Sequence, residues 1–254
     1  MAENTDIVGK KIFLLYPSAV VQNRVTEELV QHEFEVYVMK DPVKLRRILK
    51  RYPDSIVFVN INDGMSEKEW ELWIRGILGD PETEKVGIGI ISSDDNEELK
   101  AKYLSYLKIP CGYTVLKSDL NIAIKQLAEI LTAANAKGRR KYIRAIIENE
   151  VNTTVNFSLN GNFMKGSIKD ISTVGFSCSF PTDPYFTKNS LHHDIQLRLQ
   201  STLIKAEGIV FGSRTDGTEH IYVILFTQRV DPEARARIRR YIQSNLQAKM
   251  DREP

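Results

Sequence analysis

The N-terminal half of the chain alternates short apolar runs with stretches in which apolar residues recur every three or four positions. The apolar runs predict buried strands at residues 12–16, 35–39, 56–59, 86–91 and 113–116. The stretches between them predict helices, and in the first of these Val21, Val25 and Leu29 share one face. Because strands that are apolar throughout are buried on both sides, this half is predicted to be a doubly wound α/β domain with a parallel sheet.

The pattern changes to a period of two between residues 143 and 227. Phe176, Cys178 and Phe180 alternate with serines, as expected for a strand with one buried face. Further strands are predicted at residues 151–159, 194–199, 203–211 and 220–226, with turns at Asn160-Gly161 and Asp216-Gly217. Asp231-Pro232 then begins a terminal helix. The second half is therefore predicted to be an antiparallel β-barrel or sandwich followed by a helix.

A basic segment separates the two patterns. Small residues and Gly138 precede a cluster made of Lys137, Arg139, Arg140, Lys141 and Arg144. We predict an α/β domain at residues 1–134, a linker at 135–144, and a β domain at 145–254. Taken alone, such a cluster is typical of a solvated linker.

Composition narrows the choice of function. The 254 residues are 42% hydrophobic and 27% charged, as in ordinary globular proteins, and the net charge is only +2. This charge argues against a global field that attracts nucleic acid or membranes. The sequence has neither a hydrophobic signal region nor an apolar run long enough to cross a bilayer, which predicts a cytoplasmic protein. Its two cysteines lie in apolar runs and are predicted to be buried, reduced thiols.

Two motifs carry the candidate site. Arg140-x-x-x-Arg144 is followed by Asp170-x-Ser172-x-x-Gly175, where a predicted turn enters a strand. Together they resemble the paired signature of the PilZ domain, and the resemblance extends over roughly residues 137–248. It implies an antiparallel barrel with a terminal helix, a cyclic di-GMP ligand, and a role in second-messenger signalling such as motility regulation.

The chemistry of these side chains suits that ligand. The resemblance implies that Arg140 and Arg144 bind guanine and phosphate, since an arginine fork pairs with guanine O6/N7 or with phosphate oxygens. It implies that Asp170, Ser172 and Gly175 complete the guanine pocket, and Arg139 is a further candidate contact. Asp170, Ser172 and Gly175 also have ordinary structural interpretations. They could be a turn aspartate, a serine with a local hydrogen bond and a glycine at a bulge, respectively.

The N-terminal half resembles the receiver domain of response regulators in element order and length. A receiver needs an acidic pair after its first strand to hold Mg²⁺, but this chain has Tyr16-Pro17-Ser18 there. Asn60 stands where the phosphoaccepting aspartate belongs, although Ser92 or Ser93 and Lys117 occupy the places of the receiver's hydroxyl residue and lysine. We predict a degenerate receiver that is used either for contacts, as with an unidentified protein partner, or for sensing another signal.

The sequence therefore favours a non-enzymatic cyclic di-GMP receptor, with no catalytic residues, metal or cofactor. One alternative is a phosphorylation-dependent response regulator, against which Asn60 argues. Another is a nucleic-acid or polyanion binder that uses the basic linker and the arginine-rich final helix, against which the low net charge argues. The adjacent residues His192 and His193 are predicted to lie in a surface turn. On a strand they would point to opposite faces, so they are poorly placed to chelate one metal.

Overall fold

The computed structural model describes residues 9–19, 21–116, 119–148, 150–159 and 161–254. Lys117 and Asn160, which the sequence places at a receiver position and a hairpin turn, lie outside the described residues. The chain divides into two compact units, one formed by residues up to Lys141 together with Gln247–Pro254, the other by Tyr142–Leu246. The domain boundaries at residues 134 and 144 remain predictions.

The N-terminal unit is built on a parallel sheet. Its strands follow the order β2-β1-β3-β4-β5, the arrangement of a doubly wound α/β fold. All residues of β1 and β3 are buried, and all of them are apolar except Asn60, the last residue of β3. The predicted fold of this half is confirmed. The strands are β1 (Ile12–Leu15), β2 (Val36–Met39), β3 (Ile56–Asn60), β4 (Gly87–Ser92) and β5 (Tyr113–Val115).

Helices connect these strands, and local sequence sets where they begin. The Asp41 carboxylate accepts from the amides of Val43 and Lys44, and Ser66 forms a reciprocal capping box with Glu69. A π-helical turn lies before the first helix, at Val21–Val25, and another follows the fourth, at Lys102–Tyr106. The helices are α1 (Thr26–Gln31), α2 (Pro42–Arg51), α3 (Glu67–Leu78), α4 (Glu97–Ala101) and α5 (Leu120–Ala133).

The last residues of the chain also belong to this unit and cover an edge of its sheet. The Gln247 side chain accepts from the amide of Val38 at 2.9 Å and donates to the carbonyl of the same residue at 3.0 Å. Val38 lies on β2, the edge strand of the sheet. An amide side chain that pairs both ways with an edge residue mimics a neighbouring strand and satisfies backbone groups there.

The second unit is a closed antiparallel barrel. Six strands pair in the order β8-β7-β10-β11-β12-β9, and pairing of β8 with β9 closes the ring, while β6 adds beside β8. Of the two predicted architectures, the barrel is the one observed, with the terminal helix α6 (Pro232–Arg252) after it. The strands are β6 (Arg144–Ile146), β7 (Thr153–Leu159), β8 (Asn162–Ser172), β9 (Gly175–Ser179), β10 (Leu191–Leu199), β11 (Thr202–Asp216) and β12 (Glu219–Phe226).

Aromatic side chains fill the barrel interior. Phe157 is fully buried and contacts the rings of Phe176, Phe180 and Phe186 at centroid distances of 4.8–6.5 Å. Contacts of this kind bury the large apolar areas that stabilise a small barrel. Cys178 is also buried here, and burial raises the pKa of its thiol, as predicted for an inert, reduced cysteine.

Strand β8 was not predicted from the sequence. It runs from Asn162 to Ser172 and contains Lys165, Ser167, Lys169 and Asp170, a polarity typical of a loop. The strand forms because β7 and β9 pair along it, and these long-range hydrogen bonds outweigh its weak local propensity. Among the described residues, no helix is both long and apolar enough to span a bilayer.

Candidate ligand-binding face

Four of the predicted site residues meet where β6, β8 and β9 lie side by side. Arg144 is the direct partner of Ser172 across β6 and β8, and Ser172 is the partner of Gly175 across β8 and β9. Asp170 lies two residues before Ser172 and pairs with Ser177. We call these five residues the signature face: Arg144, Asp170, Ser172, Gly175 and Ser177.

Arg144 and Asp170 form an ion pair on this face. Nη1 of Arg144 lies 3.3 Å from Oδ1 of Asp170, and the Arg144 side chain is 46% exposed. Because the Arg144 side of this pair is open to solvent, we expect the pair to add only about 1 kcal/mol to stability. The contact engages one end of the guanidinium, so it orients the planar fork while leaving donors for a ligand. Arg144 was predicted on a linker, but it is the first residue of strand β6.

Ser177 fixes the other oxygen of Asp170. Its hydroxyl donates to Oδ2 of Asp170, so the carboxylate is held from two sides. The β8–β9 register shifts between Ile168 and Asp170, which makes Lys169 an extra residue at a β-bulge. A bulge re-aims the side chains that follow it, and here it sets the direction of Asp170. Neither Ser177 nor the bulge was identified from the sequence.

Ser172 and Gly175 close the tight turn between β8 and β9. The Ser172 hydroxyl donates to the Gly175 carbonyl at 3.1 Å, and Ser172 is buried, with 3% of its surface exposed. A local hydrogen bond of this kind was the alternative to a ligand contact that the sequence allowed for Ser172. The roles of Ser172 and Gly175 toward a ligand remain predictions.

Gly175 has a specific steric role in the barrel. A Cβ added there would lie 2.2 Å from the carbonyl oxygen of Ile224 and 3.1 Å from Cα of Leu225, both on β12. No side chain fits at such a distance, because backbone atoms cannot move aside cheaply. The absence of a side chain at Gly175 therefore allows β9 to approach β12.

The remaining two candidates lie before this face in the sequence. Arg139 and Arg140 are exposed and lie in an irregular segment, and both belong to the residues of the N-terminal unit. The structure thus brings together Arg144, Asp170, Ser172 and Gly175, and contact of Arg139 or Arg140 with the same ligand remains a prediction.

The row of paired residues that carries Ser172 and Gly175 continues across the barrel. Gly175 pairs with Leu225, Leu225 with Ile209, and Ile209 with Leu191. These three apolar side chains are 37–45% exposed. An apolar strip therefore continues directly from the charged fork, which suits a ligand that combines phosphates with flat aromatic bases.

The turn of the signature face is also held by α6. The Arg235 guanidinium donates to the carbonyl of Thr173 at 2.9 Å and to the carbonyl of Thr227 at 2.7 Å. In the sequence, Arg235 is one of several arginines on the predicted final helix. Nothing in the sequence marks it, because its partners are backbone atoms distant along the chain.

In the N-terminal unit, Asn60 ends β3 and Tyr16 directly follows β1. The Asn60 amide donates to the carbonyl of Tyr16 at 2.8 Å, and its Oδ1 accepts from the amide of Asn62 at 3.2 Å. Tyr16 has a positive φ of 53°, and its ring lies against Gly64. Asp63 is exposed in the following turn and accepts from the amide of Gly64. Asn60 is thus engaged in backbone hydrogen bonds.

Among the described residues, no group of three or more His, Cys, Asp or Glu side chains is placed to hold a metal ion. His192 and His193 lie on β10 rather than in a surface turn. His192 packs on Phe157 and Phe186, whereas His193 lies 2.5 Å from the Glu207 carboxylate. Their different surroundings are those of neighbouring residues on a strand.

We expect that a small phosphodonor with Mg²⁺ leaves no acid-labile phosphate on this protein, because Asn60 cannot form an acyl phosphate. Intact-protein mass spectrometry, with a functional receiver treated in parallel, measures this. Phosphate that appears on the wild-type chain and disappears in Asp63→Asn would overturn the expectation and identify Asp63 as the acceptor.

Comparison with known proteins gives one family match, which lies in the second half of the chain. The model of the PilZ domain family matches residues 138–244. No protein with a curated description matches the sequence. Three solved structures illustrate the similarities found.

Two of these structures are similar to the chain over less than half of its length and contain cyclic di-GMP. The PilZ domain of YcgR from Escherichia coli, with c-di-GMP, is 14% identical over 44% of this chain and 95% of its own, with a TM-score of 0.38. The K. pneumonia MrkH–c-di-GMP complex is 20% identical over 47% of this chain and 57% of its own, with a TM-score of 0.41.

The third is the Mn²⁺-bound response regulator Rcp1, which is 18% identical over 48% of this chain and 92% of its own, with a TM-score of 0.39. The family match covers both motifs, from Arg140 to Gly175, and the barrel strands on which the signature face is built. Residues 138–244 of this chain are therefore a PilZ domain.

Proposed function

We propose that this protein is a non-enzymatic receptor for cyclic di-GMP, which binds through Arg140, Arg144, Asp170, Ser172 and Gly175, with Arg139 as a further contact. The observation that carries the proposal is the pairing of Arg144 with Asp170 on the signature face of a PilZ domain. An arginine fork beside a carboxylate offers donors and acceptors together, as a guanine edge requires.

Arg144 and Asp170 would have separate roles toward the ligand. Arg144 donates to phosphate oxygens or to O6/N7 of guanine, and Asp170, oriented by Ser177, accepts from guanine N–H groups. The apolar side chains of Leu225 and Ile209 then provide a surface for the rest of a base. Arg140 adds charge from the segment before β6, where its exposed side chain is accessible to a ligand.

Ligand binding would also change the basic segment. Residues 136–144 carry exposed cations and little regular structure before β6. When Arg140 and Arg144 bind one ligand, the residues between them become ordered and the arrangement of the two units changes. An unidentified protein partner, bound through the N-terminal unit, would then receive the signal, and the protein would act in the cytoplasm.

Hydrogen exchange of the whole chain, with and without cyclic di-GMP, tests this ordering. We expect exchange of the amides in residues 136–144 to slow when ligand is added at saturation, because the ligand fixes the backbone between the two arginines. Peptides of α2 provide an internal control that the ligand leaves unchanged. Unaltered protection of residues 136–144 in a chain that binds the ligand would contradict the switch but not the binding.

A further inference from the structure

The Arg235 side chain of helix α6 contacts the turn that follows Ser172 of the signature face. One end of its guanidinium donates to the Thr173 carbonyl, inside the turn between β8 and β9. The other end donates to the Thr227 carbonyl, just after β12. The amide of Phe226, at the end of β12, donates to the carbonyl of Val174 in the same turn. Arg235 therefore joins the turn, the end of β12 and the first turns of α6.

Other arginines of this helix make different contacts. Arg237 and Arg240 both pair with Glu233, which lies on α6 itself, and the side chains of all three are about half exposed or more. Those ion pairs therefore join residues of the helix to one another. Arg235 is partly buried and bonds to two backbone carbonyls outside the helix. A displacement of the turn by a ligand would therefore pull on α6 at Arg235.

We propose that Arg235 is a positioning residue that couples occupancy of the signature face to helix α6. The proposal rests on the function proposed above, because the coupled ligand is cyclic di-GMP. Thr173 lies directly after Ser172 and two residues before Gly175, so a ligand that binds these residues sets the position of the carbonyl that Arg235 holds.

Helix α6 can respond to this ligand because its first turns are packed in the barrel unit. Its first turns are part of the barrel unit, where Ile238 and Ile242 are fully buried. A shift at Arg235 therefore acts on the buried first turns of α6, a helix that runs from Pro232 to Arg252.

The test compares wild type, Arg235→Met and Arg235→Lys by calorimetry and by hydrogen exchange with saturating cyclic di-GMP. Methionine keeps the length and apolar stem but removes both donors, so we expect binding to weaken about tenfold. More specifically, ligand should slow exchange in the first turns of α6 in wild type but not in Arg235→Met, while the β8–β9 turn is protected in both. Lysine, which supplies a point charge but no fork, should restore part of both effects.

Arg240→Met is the matched control, since it removes the same charge from the same helix but breaks only a surface pair with Glu233. It should bind and protect α6 like wild type. Equal ligand-induced protection of α6 in wild type, Arg235→Met and Arg235→Lys would overturn the proposal. If Arg235→Met does not fold, Arg235→Lys is the deciding variant. Ligand-induced protection of α6 equal to that of wild type in Arg235→Lys would also overturn the proposal, because lysine lacks the guanidinium that bonds both carbonyls. If wild type binds no ligand, the proposed function fails instead.

Discussion

Replacing Arg144 by alanine is expected to weaken cyclic di-GMP binding about one hundredfold, which corresponds to about 2.7 kcal/mol. The substitution removes the guanidinium fork and leaves the Asp170 carboxylate without its cationic partner. Charge-assisted bidentate contacts are among the strongest that a side chain makes to phosphate or guanine. The unfolding free energy should change by only about 1 kcal/mol, since the Arg144 side chain is about half exposed and Ser177 still donates to Asp170. Titration calorimetry measures the affinity, and a thermal melt measures the stability.

Two further variants separate charge from geometry in this prediction. Arg144→Lys keeps the charge but not the fork, and we expect it to remain well below wild type in affinity. Arg198→Ala removes an exposed arginine from β10 on the same barrel, where its Nε donates to the Gln200 carbonyl. That control should bind normally. Wild-type affinity in Arg144→Ala would show that Arg144 makes no important ligand contact.

Replacing Gly175 by alanine is expected to lower the unfolding free energy of the barrel by about 3 kcal/mol, the upper range for overpacking. The new methyl group would lie 2.2 Å from the Ile224 carbonyl oxygen, so β9 and β12 must separate. Both tryptophans of the chain, Trp70 and Trp73, lie in the N-terminal unit and do not report on the barrel. Hydrogen exchange of β9 and β12 peptides in increasing urea measures the loss directly.

Gly212→Ala is the control for this change, because a Cβ at Gly212 meets no atom within 4 Å. It should stay within about 0.5 kcal/mol of wild type. Ligand binding by Gly175→Ala should weaken as a consequence of the opened barrel. Wild-type stability in Gly175→Ala would contradict the steric explanation, and lost binding in such a stable variant would show that Gly175 acts on the ligand alone.

The fold of the N-terminal half could be predicted from the sequence almost element by element. Strands β1 and β3 are buried on both faces, so their apolar runs give a strong signal. The amide residue Asn60 at the end of β3, in place of a carboxylate, was also visible. The two π-helical turns were not, since they depend on packing rather than on periodicity.

In the barrel, some strands and contacts could not be predicted from the sequence pattern. Strand β8 is mostly polar on its outward positions, and only pairing with β7 and β9 makes it a strand. Arg144 and Asp170 could be named from their motifs, yet their contact depends on the antiparallel pairing of β6 with β8. Ser177 follows from alternation once the strand register is known, whereas Arg235 bonds only to distant carbonyls and left no pattern to recognise.

The central claim is that the signature face binds cyclic di-GMP, and titration calorimetry of the whole wild-type chain with that ligand tests it most directly. We predict saturable binding with a defined stoichiometry, absent for GMP at the same concentrations and strongly weakened in both Arg144→Ala and Asp170→Ala. No binding by the folded wild-type chain, or equal binding by these two variants, would contradict the account.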